Sequence, residues 1–468
     1  MKLQVFGFGL ASKSPYVAAN GLQNVYCETR PQGEKAVLVA YRTPGLTVFT
    51  DSGVMSPPRG IWTFDKTDSC FVVINNTFYQ LSGSGTLTNK GALLTSVGRV
   101  SMSDNGNQVM IVDGTYGYIY NTTTGVFAQI TDVDFPVAPQ TVSFLSGYFI
   151  VNLNQSSRFY VSARDDGLTW AALDFANAET NPDPIISTWT SNGQLVLMGS
   201  RSMEFWGNSG AVDFPFTQIV GTATEWGLAA RWSVAKYDNS FACLVKNRMG
   251  QVMVAQIAGY LPKKISTPDL DAIINGYSRV DDASAYGYML GGHAMYVINF
   301  PTAGASWLFD SSTNIWTQLK GYGLTRHRAE FGTSFLTNSL VCDYASGIIY
   351  KLDSTALNDA GQPMESQITS ETVIAPDLQR FTVNKFRIDM EVGDGNASYP
   401  NPQVSLQVSR DNGRTWGAEM FSPLGPLGNY SRRVEWTRLG TAANFVFRLR
   451  VVDAVPFVLV NALLNPPD

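Results

Sequence analysis

The sequence contains few of the residues that build metal or redox sites. It has two histidines and four cysteines in 468 residues. The cysteines are Cys27, Cys70, Cys243 and Cys342. No two of them have the C-x-x-C spacing of a metal or redox motif, and the only histidines are His293 and His327. We therefore expect four buried or incidental thiols in a reducing compartment, with no metal site and no cofactor site.

Charge and long hydrophobic runs are also scarce. Charged residues make up 15% of the chain, and its net charge is −5. Typical domains have about 25% charged residues, and gripping DNA phosphates needs clustered Lys and Arg, so a DNA-binding protein is disfavoured. No stretch approaches about 18 consecutive apolar residues, which argues against a membrane span. The N-terminus, MKLQVFGFGLASKSPYVAANG, lacks a sustained apolar segment, so no secretory signal is expected.

The chain instead contains many short runs of β-branched and aromatic residues, separated by Gly, Asn, Asp and Ser. QVMIVDGTYGYIYN (108–121) and HAMYVINFP (293–301) are examples. Such runs predict strands joined by tight turns, and therefore an all-β fold. The best helix candidate is TPDLDAIINGY (267–277), with an Asp-rich first turn and a Gly near its end.

One hairpin pattern recurs along the chain. It appears in YGYIYNTTTGVFAQI (116–130), MEFWGNSGAVDFPFTQI (203–219) and SWLFDSSTNIWTQL (306–319). In each, an aromatic strand ends in Asn, Asp or Gly, a polar turn follows, and the next strand opens with an aromatic residue and Gln. RFYVSARDDGLTWAAL (158–173) is the same hairpin without the Gln.

The repeating units have the length of propeller blades. Their starts are Arg59, Gly98, Ala138, Ile186, Ala230, Arg279 and Arg326. A spacing of about 40 to 50 residues is typical of four-stranded blades, which bury both faces against their neighbours. We predict a β-propeller of about seven blades, with six possible, and residues 36–49 as the strand that closes the ring. An array of β-sandwiches is the alternative.

The pattern of apolar and polar residues changes after Pro363. In residues 366–468, Val404, Leu406 and Val408 alternate with polar residues, which is typical of a half-buried strand. About 100 residues of this kind predict a β-sandwich. The predicted domains are residues 1–58 as an N-terminal arm and ring-closing strand, 59–365 as the propeller, and 366–468 as the sandwich. The first ~35 residues either form an arm that packs on a neighbouring copy or complete a blade.

Two stretches match the Asp-box pattern S-x-D-x-G-x-T-W of sialidases. SRDNGRTW (409–416) fits throughout, and ARDDGLTW (163–170) fits except at Ala163. The pattern residues are Asp165, Gly167, Thr169, Trp170, Ser409, Asp411, Gly413, Thr415 and Trp416. Asp and Gly suit tight turns, so we interpret both stretches as structural hairpin turns whose tryptophans anchor packing. Replacing Trp416 with Ala is expected to destabilise the sandwich by roughly 3–5 kcal/mol if that side chain is fully buried.

A glycan-active propeller, either a sialidase-like enzyme or a receptor-binding tail protein, is the alternative function. Arg42, in the stretch YRTP, would be the first of the three arginines that a sialidase directs at a carboxylate. Other arginines have no distinguishing context. His293 follows two glycines, which favours a turn, and His327 lies in Arg-His-Arg, either a solvated loop or an anion contact. We predict no catalytic residue.

An ordered set of motifs resembles a known family. The motifs are QNVYCE (23–28), RTPGL (42–46), GRVSM (98–102), NPDPI (181–185), RSMEFW (201–206), DFPFTQIVGTATEWGLAA (213–230), GGHAMYVINFPTAGASWLFD (291–310), WTRLG (436–440) and FVFRLRV (445–451). The chain resembles the packaged-DNA stabilization proteins, or tail-hub proteins, of short-tailed bacteriophages.

The resemblance implies a virion structural protein without catalytic residues, made in the host cytoplasm. It implies a homo-hexameric ring below the portal and its adaptor protein, which closes the head after packaging and retains the genome. It also implies a platform for the tail needle and for a tail fibre or tailspike. DNA would be present only as channel contents, and a net charge of −5 is consistent with a lumen through which DNA passes.

Overall fold

A computed structural model describes residues 2–3, 10, 19–30, 38–178, 181, 183–211, 213–375 and 377–466. Nearly all of its elements are strands, which confirms the all-β prediction. Five strands precede the first blade: β1 (Lys2–Leu3), β2 (Gly21–Gln23), β3 (Val25–Thr29), β4 (Leu38–Arg42) and β5 (Gly45–Asp51).

Seven antiparallel groups of strands follow one another in the described residues, and each is a propeller blade; six are separate sheets, and one is part of a larger sheet. Blade 1 is β6 (Pro58–Phe64), β7 (Ser69–Ile74), β8 (Thr77–Leu81) and β9 (Leu87–Ala92). Blade 2 is β10 (Ser101–Asp104), β11 (Gln108–Val112), β12 (Gly117–Asn121) and β13 (Phe127–Gln129). Blade 3 is β14 (Pro139–Leu145), β15 (Tyr148–Leu153), β16 (Arg158–Ala163) and β17 (Asp166–Asn177). Blade 4 is β18 (Ile185–Ser191), β19 (Gln194–Gly199), β20 (Met203–Asn208) and β21 (Phe216–Gln218).

The remaining three blades complete the ring. Blade 5 is β22 (Gly227–Leu228), β23 (Ala235–Tyr237), β24 (Ser240–Lys246), β25 (Val252–Ala258) and β26 (Leu261–Lys264). Blade 6 is β27 (Ser284–Leu290), β28 (His293–Phe300), β29 (Ala305–Asp310) and β30 (Ile315–Gln318). Blade 7 is β31 (Ala329–Phe335), β32 (Asn338–Asp343) and β33 (Ile348–Asp353), with β5 as its fourth strand. The blade number is therefore seven.

The ring is closed by an N-terminal strand. β5 pairs antiparallel with β33, from Gly45 opposite Asp353 to Asp51 opposite Ile348. Blade 7 thus combines strands from both ends of the propeller sequence, which leaves no unpaired seam between the first and last blades. Residues 36–49 were expected to supply this strand, and within that range the pairing with β33 begins at Gly45. Ala36 and Val37 lie outside the described residues.

The recurring hairpin of the sequence is the third and fourth strand of a blade. Residues 116–130, 203–219 and 306–319 form β12–β13, β20–β21 and β29–β30. Aromatic side chains from these hairpins pack between blades. Between blades 1 and 2, for example, the rings of Phe78 and Phe127 stack with centroids 5.4 Å apart. The repeat therefore reflects a packing need at each seam, where one blade covers the next.

The helix candidate is confirmed as α1 (Pro268–Asn275), between blades 5 and 6. Its N-terminus is capped by Thr267, whose side-chain oxygen accepts a hydrogen bond from the Leu270 amide. Leu270 and Ile274 face the core. A short 3-10 helix, Asp65–Thr67, connects β6 to β7.

The C-terminal strands form a β-sandwich, as predicted. They are β34 (Ser366–Thr369), β35 (Val373–Ile374), β36 (Phe381–Met390), β37 (Gln403–Ser409), β38 (Met420–Pro423), β39 (Val434–Ala442), β40 (Asn444–Val451) and β41 (Val458–Leu464). One sheet has the order β3-β4-β41-β36-β39, with β1 also on β41, and the other has the order β2-β34-β40-β37-β38, with β35 on β40. Phe386 and Phe447 stack between the sheets with ring centroids 4.5 Å apart.

The N-terminal strands differ from expectation. β2, β3 and β4 belong to the sandwich sheets, so residues 21–29 and 38–42 are neither an arm nor part of a blade. The rest of the expected arm, residues 1, 4–9, 11–18 and 31–37, lies outside the described residues. β2 also pairs with β30 through Gln23 and Gln318, so one ten-stranded sheet runs from blade 6 into the sandwich. This pairing fixes the sandwich to the propeller.

One face of the propeller is formed by two sets of loops. Successive strands of a blade are antiparallel, so the loops that join consecutive blades lie on the same side as the loops between second and third strands. Arg59 illustrates this, because its guanidinium bonds the carbonyl oxygens of Asn75 and Thr95, one from each kind of loop. We call this side the loop face.

Candidate functional site

The first Asp-box-like turn lies at the tip of the third and fourth strands of blade 3. The carboxylate that organises it belongs to Asp166, which accepts hydrogen bonds from Thr169 Oγ1 at 2.7 Å and from the Leu168 amide at 3.0 Å. Asp165, the residue that aligns with the pattern, instead has a left-handed backbone with φ 57°. The organising carboxylate is therefore one residue later in the chain than the pattern predicts, and the sequence pattern did not identify Asp166.

This turn fits against blade 2. A Cβ on Gly167 would lie 2.4 Å from Ile119 Cδ1, so a larger residue here would force the side chains of blade 2 to move. The Gly167 amide donates to Gln108 Oε1 at 2.8 Å, and Gln108 Nε2 donates to Asp166 Oδ1 at 3.1 Å. Both bonds cross from blade 3 to blade 2. The turn therefore connects neighbouring blades.

Trp170 completes this contact between blades. Its side chain is 5% exposed, and its Nε1 donates to the Gly167 carbonyl at 2.9 Å. Its ring meets the ring of Phe135 edge-on, with centroids 5.1 Å apart. Asp132 accepts a hydrogen bond from the Trp170 amide at 2.9 Å. Every polar group named here bonds within the protein, as in a structural turn.

The second turn joins β37 to β38 in the sandwich and has the full Asp-box geometry. Asp411 accepts hydrogen bonds from Thr415 Oγ1 at 2.5 Å, from the Thr415 amide at 2.8 Å, and from Ser409 Oγ at 2.7 Å. The hydrogen bonds from Thr415, followed by that from Ser409, lower the pKa of Asp411 to about 2. The Gly413 amide donates to Ser409 Oγ at 2.8 Å. Asp411 thus stays ionised and holds the turn.

Trp416 differs from Trp170. It is only partly buried, and one face of its ring is covered by the guanidinium of Arg448, whose central carbon lies 3.6 Å from the ring centroid. The condition of full burial on which a large destabilisation was expected is not met. The two turns also lie in different domains, so the structure does not bring the pattern residues together.

Arg42, the candidate sialidase arginine, lies at the joint between propeller and sandwich. It is 8% exposed and donates to Ser366 Oγ at 3.0 Å, to the Leu357 carbonyl at 2.9 Å and to the Asp453 carbonyl at 3.2 Å. Burial lowers its pKa to about 10. Its donors are directed at one hydroxyl and two backbone carbonyl groups of the protein itself, which contradicts a role in binding a ligand carboxylate.

Asn24 reinforces the same joint. Its Nδ2 donates to the carbonyl oxygens of Lys320 and Glu365, each at 2.8 Å, and its Oδ1 accepts from the Lys320 amide at 2.9 Å. Its own amide donates to the Gln318 carbonyl at 2.9 Å. A single buried amide side chain therefore links β2–β3, blade 6 and the start of the sandwich. No local sequence signal distinguished Asn24 from other turn asparagines.

The basic cluster Arg326-His327-Arg328 is neither solvated nor open to an anion. His327 is 4% exposed, and burial, followed by the neighbouring arginines, lowers its pKa to about 4. Arg326 pairs with Glu330, and Arg328 pairs with Asp343 at 2.8 Å. Both expected alternatives for this cluster are therefore wrong, because acidic residues on blade 7 neutralise it internally.

His293 also has an internal partner. Its Nδ1 lies 2.9 and 3.0 Å from the two carboxylate oxygens of Asp310 on the neighbouring strand β29. No group of three or more His, Cys, Asp or Glu side chains in the described part of the chain is arranged to hold a metal ion. None of the described helices is long and apolar enough to cross a membrane.

The loop face carries a set of exposed apolar side chains. Seven of them are between 66% and 95% exposed: Met55, Leu94, Val97, Val133, Val137, Val220 and Met249. All lie in loops between consecutive blades, except Met249, which lies between β24 and β25 of blade 5; β22 and β23 both pair with β24 and share the first-strand position, so this loop is on the same side. They are spread over five loops on the same side of the propeller.

Known proteins match this architecture in the same order. The family model described as bacteriophage P22 Gp10, beta-propeller, matches residues 5–357, and the model described as bacteriophage P22 Gp10, beta-sandwich, matches residues 368–465. The tail hub protein gp10 of Salmonella phage P22 is 23% identical over 293 residues, which are 60% of this chain and 60% of that protein. The match thus spans about 60% of the length of this curated relative.

Solved structures show a weaker likeness. The Neurospora crassa Pan2 WD40 domain has a TM-score of 0.42 at 10% identity, covering 67% of this chain and 95% of that one. The computationally designed Ika8 protein has a TM-score of 0.40 at 11% identity, covering 75% of this chain and 98% of that one. TM-scores of this size are too low to support a conclusion.

Proposed function

Because the chain belongs to the family of the bacteriophage P22 Gp10 β-propeller and β-sandwich, we propose that it is a non-enzymatic structural subunit of a phage tail hub. In this proposal it closes the portal channel after packaging, retains the genome and supports the tail needle and the fibres or spikes. The observation that carries the proposal is the ordered match of both domains, over residues 5–357 and 368–465.

The rigidity of the fold supports a platform role. The ring is closed by β5, and one ten-stranded sheet continues from blade 6 into the sandwich. Asn24 and Arg42 add buried hydrogen bonds across the same joint. Surfaces on the two domains are therefore held at a fixed separation and angle, which suits a subunit that contacts several partners at once.

We infer that the subunits form a homo-hexameric ring beneath the portal adaptor protein, in the virion, after synthesis in the host cytoplasm. A ring uses heterologous contacts, in which two different surfaces of each subunit meet. We propose that the loop face is one of these surfaces, and that its loops with Met55, Leu94 and Val97 meet an uncharged, apolar patch of the next copy. The centres of protein interfaces are depleted of charge, and the inter-blade loops with Met55, Leu94 and Val97 carry no charged side chain near their tips.

The internal bonding of the candidate site residues supports a role without chemistry. Asp166 and Asp411 use their carboxylates to hold turns, and Arg42 uses its guanidinium to hold the joint. DNA is proposed to meet the protein only as channel contents. The adaptor, the tail needle and a tail fibre or tailspike are its proposed protein partners.

The decisive experiment is genetic. A stop codon in the gene is expected to yield heads that package DNA and then lose it, seen as empty, expanded heads by electron microscopy. A plasmid copy of the wild-type gene restores filled heads. Full, DNA-stable heads that only fail to adsorb to cells would contradict the proposal and favour a receptor-binding protein instead.

The role of the loop face has its own test in the same complementation assay. The double variant Leu94→Asp, Val97→Asp places two charges at the uncharged tip of a loop of the loop face and is expected to fold but not to restore filled heads. Leu173→Asp is the matched control, because Leu173 is 84% exposed on the outer strand of blade 3, away from the loop face. Equal complementation by both variants would remove the loop face from the assembly.

A further inference from the structure

The segment that connects blade 7 to the sandwich, residues 354–365, is pressed against the start of the ring-closing strand. We call this segment the linker. The Leu46 amide donates to the Asn358 carbonyl at 3.2 Å, and the Ala360 amide donates to the Leu46 carbonyl at 2.6 Å. A Cβ on Gly45 would lie 2.3 Å from the carbonyl oxygen of Asn358, so glycine is required for this approach. Ring closure and the domain joint therefore meet at the linker.

Asp359 lies buried at the centre of this contact. It is 3% exposed, and its amide donates to the Gln362 carbonyl at 2.9 Å. Its carboxyl Oδ1 has no hydrogen-bond partner among the described residues, and neither do the buried hydroxyls of Thr43 and Tyr286. Buried polar atoms nearly always have partners, so a buried carboxyl oxygen without one requires a physical explanation.

The charged and titratable groups around Asp359 come from three elements. Burial raises the pKa of Asp359 to about 7, while the Leu46 amide and the guanidiniums of Arg42 and Arg328 act in the opposite direction. The phenol of Tyr286, on β27, also interacts electrostatically with Asp359. The two cations thus compensate only part of the loss of water around the carboxylate.

We propose that Asp359 is a proton-dependent clasp, which holds the linker against the ring-closing strand when its carboxyl is neutral and loosens it when the carboxyl ionises. A neutral carboxyl places no net charge in the buried joint, so its burial there costs much less free energy than burial of a carboxylate. An ionised carboxyl gains from exposure to water, which requires the linker to lift away.

The direction of the pH dependence follows from the two states of the linker. With the linker closed, the pKa of the Asp359 carboxyl is about 7, above its ordinary value of 3.8. Asp359 therefore binds a proton more tightly when the linker is closed than when it is open. The contribution of the neutral Asp359 carboxyl to the stability of the closed linker is complete below about pH 4. It decreases as the pH rises towards 7 and does not change further above that pH. The clasp depends only on the joint itself and not on the proposed place of the protein in a virion.

The first test compares the thermal unfolding of the full chain with that of Asp359→Asn at pH 4.5, 5.5, 6.5, 7.5 and 8.5. The difference in Tm, variant minus wild type, is expected to grow between pH 4.5 and 7.5 and to be level afterwards. Comparison at each pH cancels the contribution of His327, which titrates in both proteins. A difference that is the same at pH 4.5 and 8.5 would overturn the proposal.

Asp353→Asn is the matched control. Asp353 ends β33 just before the linker, and hydrogen bonds from Thr355 and Lys351 lower its pKa to about 2. It is therefore ionised throughout the tested range, and its removal is expected to shift Tm by the same amount at every pH. A Tm difference for Asp353→Asn that grows like that of Asp359→Asn would assign the pH dependence to general electrostatics and overturn the clasp.

Hydrogen exchange of the wild-type chain provides a test that needs no variant. After correction for the intrinsic pH dependence of exchange, protection of the amides of Asp359, Ala360 and Gln362 is expected to fall by up to about tenfold per pH unit between pH 5 and 7. Protection of the blade 2 strands is expected to stay constant. Constant protection of the linker over the same range would contradict the proposal, even if Asp359→Asn fails to fold.

Discussion

The two tryptophans of the Asp-box-like turns allow a matched test of how burial decides the energetics of a shared motif. Trp170 is 5% exposed in the seam between blades 2 and 3, whereas Trp416 is partly buried in the sandwich. Replacing each with Ala removes the same atoms from the same position of the same turn. The difference between the two variants therefore measures the surroundings and not the motif.

The expected magnitudes follow from the contacts. Trp170→Ala removes a nearly fully buried indole, its bond to the Gly167 carbonyl and its edge-on contact with Phe135, and is expected to destabilise the fold by about 3–5 kcal/mol. Trp416→Ala removes a partly exposed ring and its stacking contact with the guanidinium of Arg448, which together contribute about 1–2 kcal/mol.

The assay is urea denaturation of the full chain followed by far-UV circular dichroism, which does not depend on the fluorescence of the replaced residue. A lower denaturation midpoint with an unchanged slope reports a loss of stability. Trp170→Phe is the conservative control, because it keeps an aromatic ring in the seam and is expected to lose less than Trp170→Ala. Equal losses for Trp170→Ala and Trp416→Ala, or a loss below about 1 kcal/mol for Trp170→Ala, would refute the reasoning.

Three further predictions rest on single residues. Gly167→Ala places a methyl group 2.4 Å from Ile119 Cδ1 and is expected to destabilise the blade 2–3 seam by about 1–3 kcal/mol, measured by the same denaturation. Arg42→Ala leaves the Leu357 and Asp453 carbonyl oxygens without their donor and is expected to expose the joint to limited proteolysis, yielding separate propeller and sandwich fragments; an intact chain would contradict this. For His327, the folded pKa of about 4 lies below the ordinary 6.5, so stability is lost as pH falls from 6.5 to 4, by at most about 3 kcal/mol. His327→Phe is expected to remove this loss, seen as a smaller Tm difference between pH 5 and 7.5, and an unchanged difference would rule it out.

Much of the architecture could be predicted from the sequence because blades are made of local contacts. The third and fourth strands of a blade are joined by a few residues, so their aromatic residues, turn residues and spacing all lie within one short stretch. This is why the recurring hairpins at residues 116–130, 203–219 and 306–319 indicated the blades, while the spacing of the unit starts predicted about seven of them. Helix α1 was predictable for the same reason, since its cap and its apolar face lie within ten residues.

Features that depend on distant strands were not predictable from one sequence. Residues 21–29 looked like part of an arm, yet β2 pairs with β30 and β34, which lie about 300 residues later in the chain. The short apolar alternation of these strands is compatible with any open sheet edge. Only the packed structure offers the edges of blade 6 and the sandwich and so decides which edge they join.

The candidate site shows the same division. The composition of ARDDGLTW and SRDNGRTW was enough to identify two hairpin turns, because Asp, Gly and Thr satisfy the backbone of a turn locally. The neighbouring elements decided the rest: the strand register gave the organising role to Asp166, the seam with blade 2 buried Trp170, and the open sandwich surface left Trp416 partly exposed. Burial of Arg42 and Asp359 was likewise decided by tertiary structure, since Arg42 bonds the Leu357 and Asp453 carbonyl oxygens and lies near Asp359, all of which are far from it in the chain.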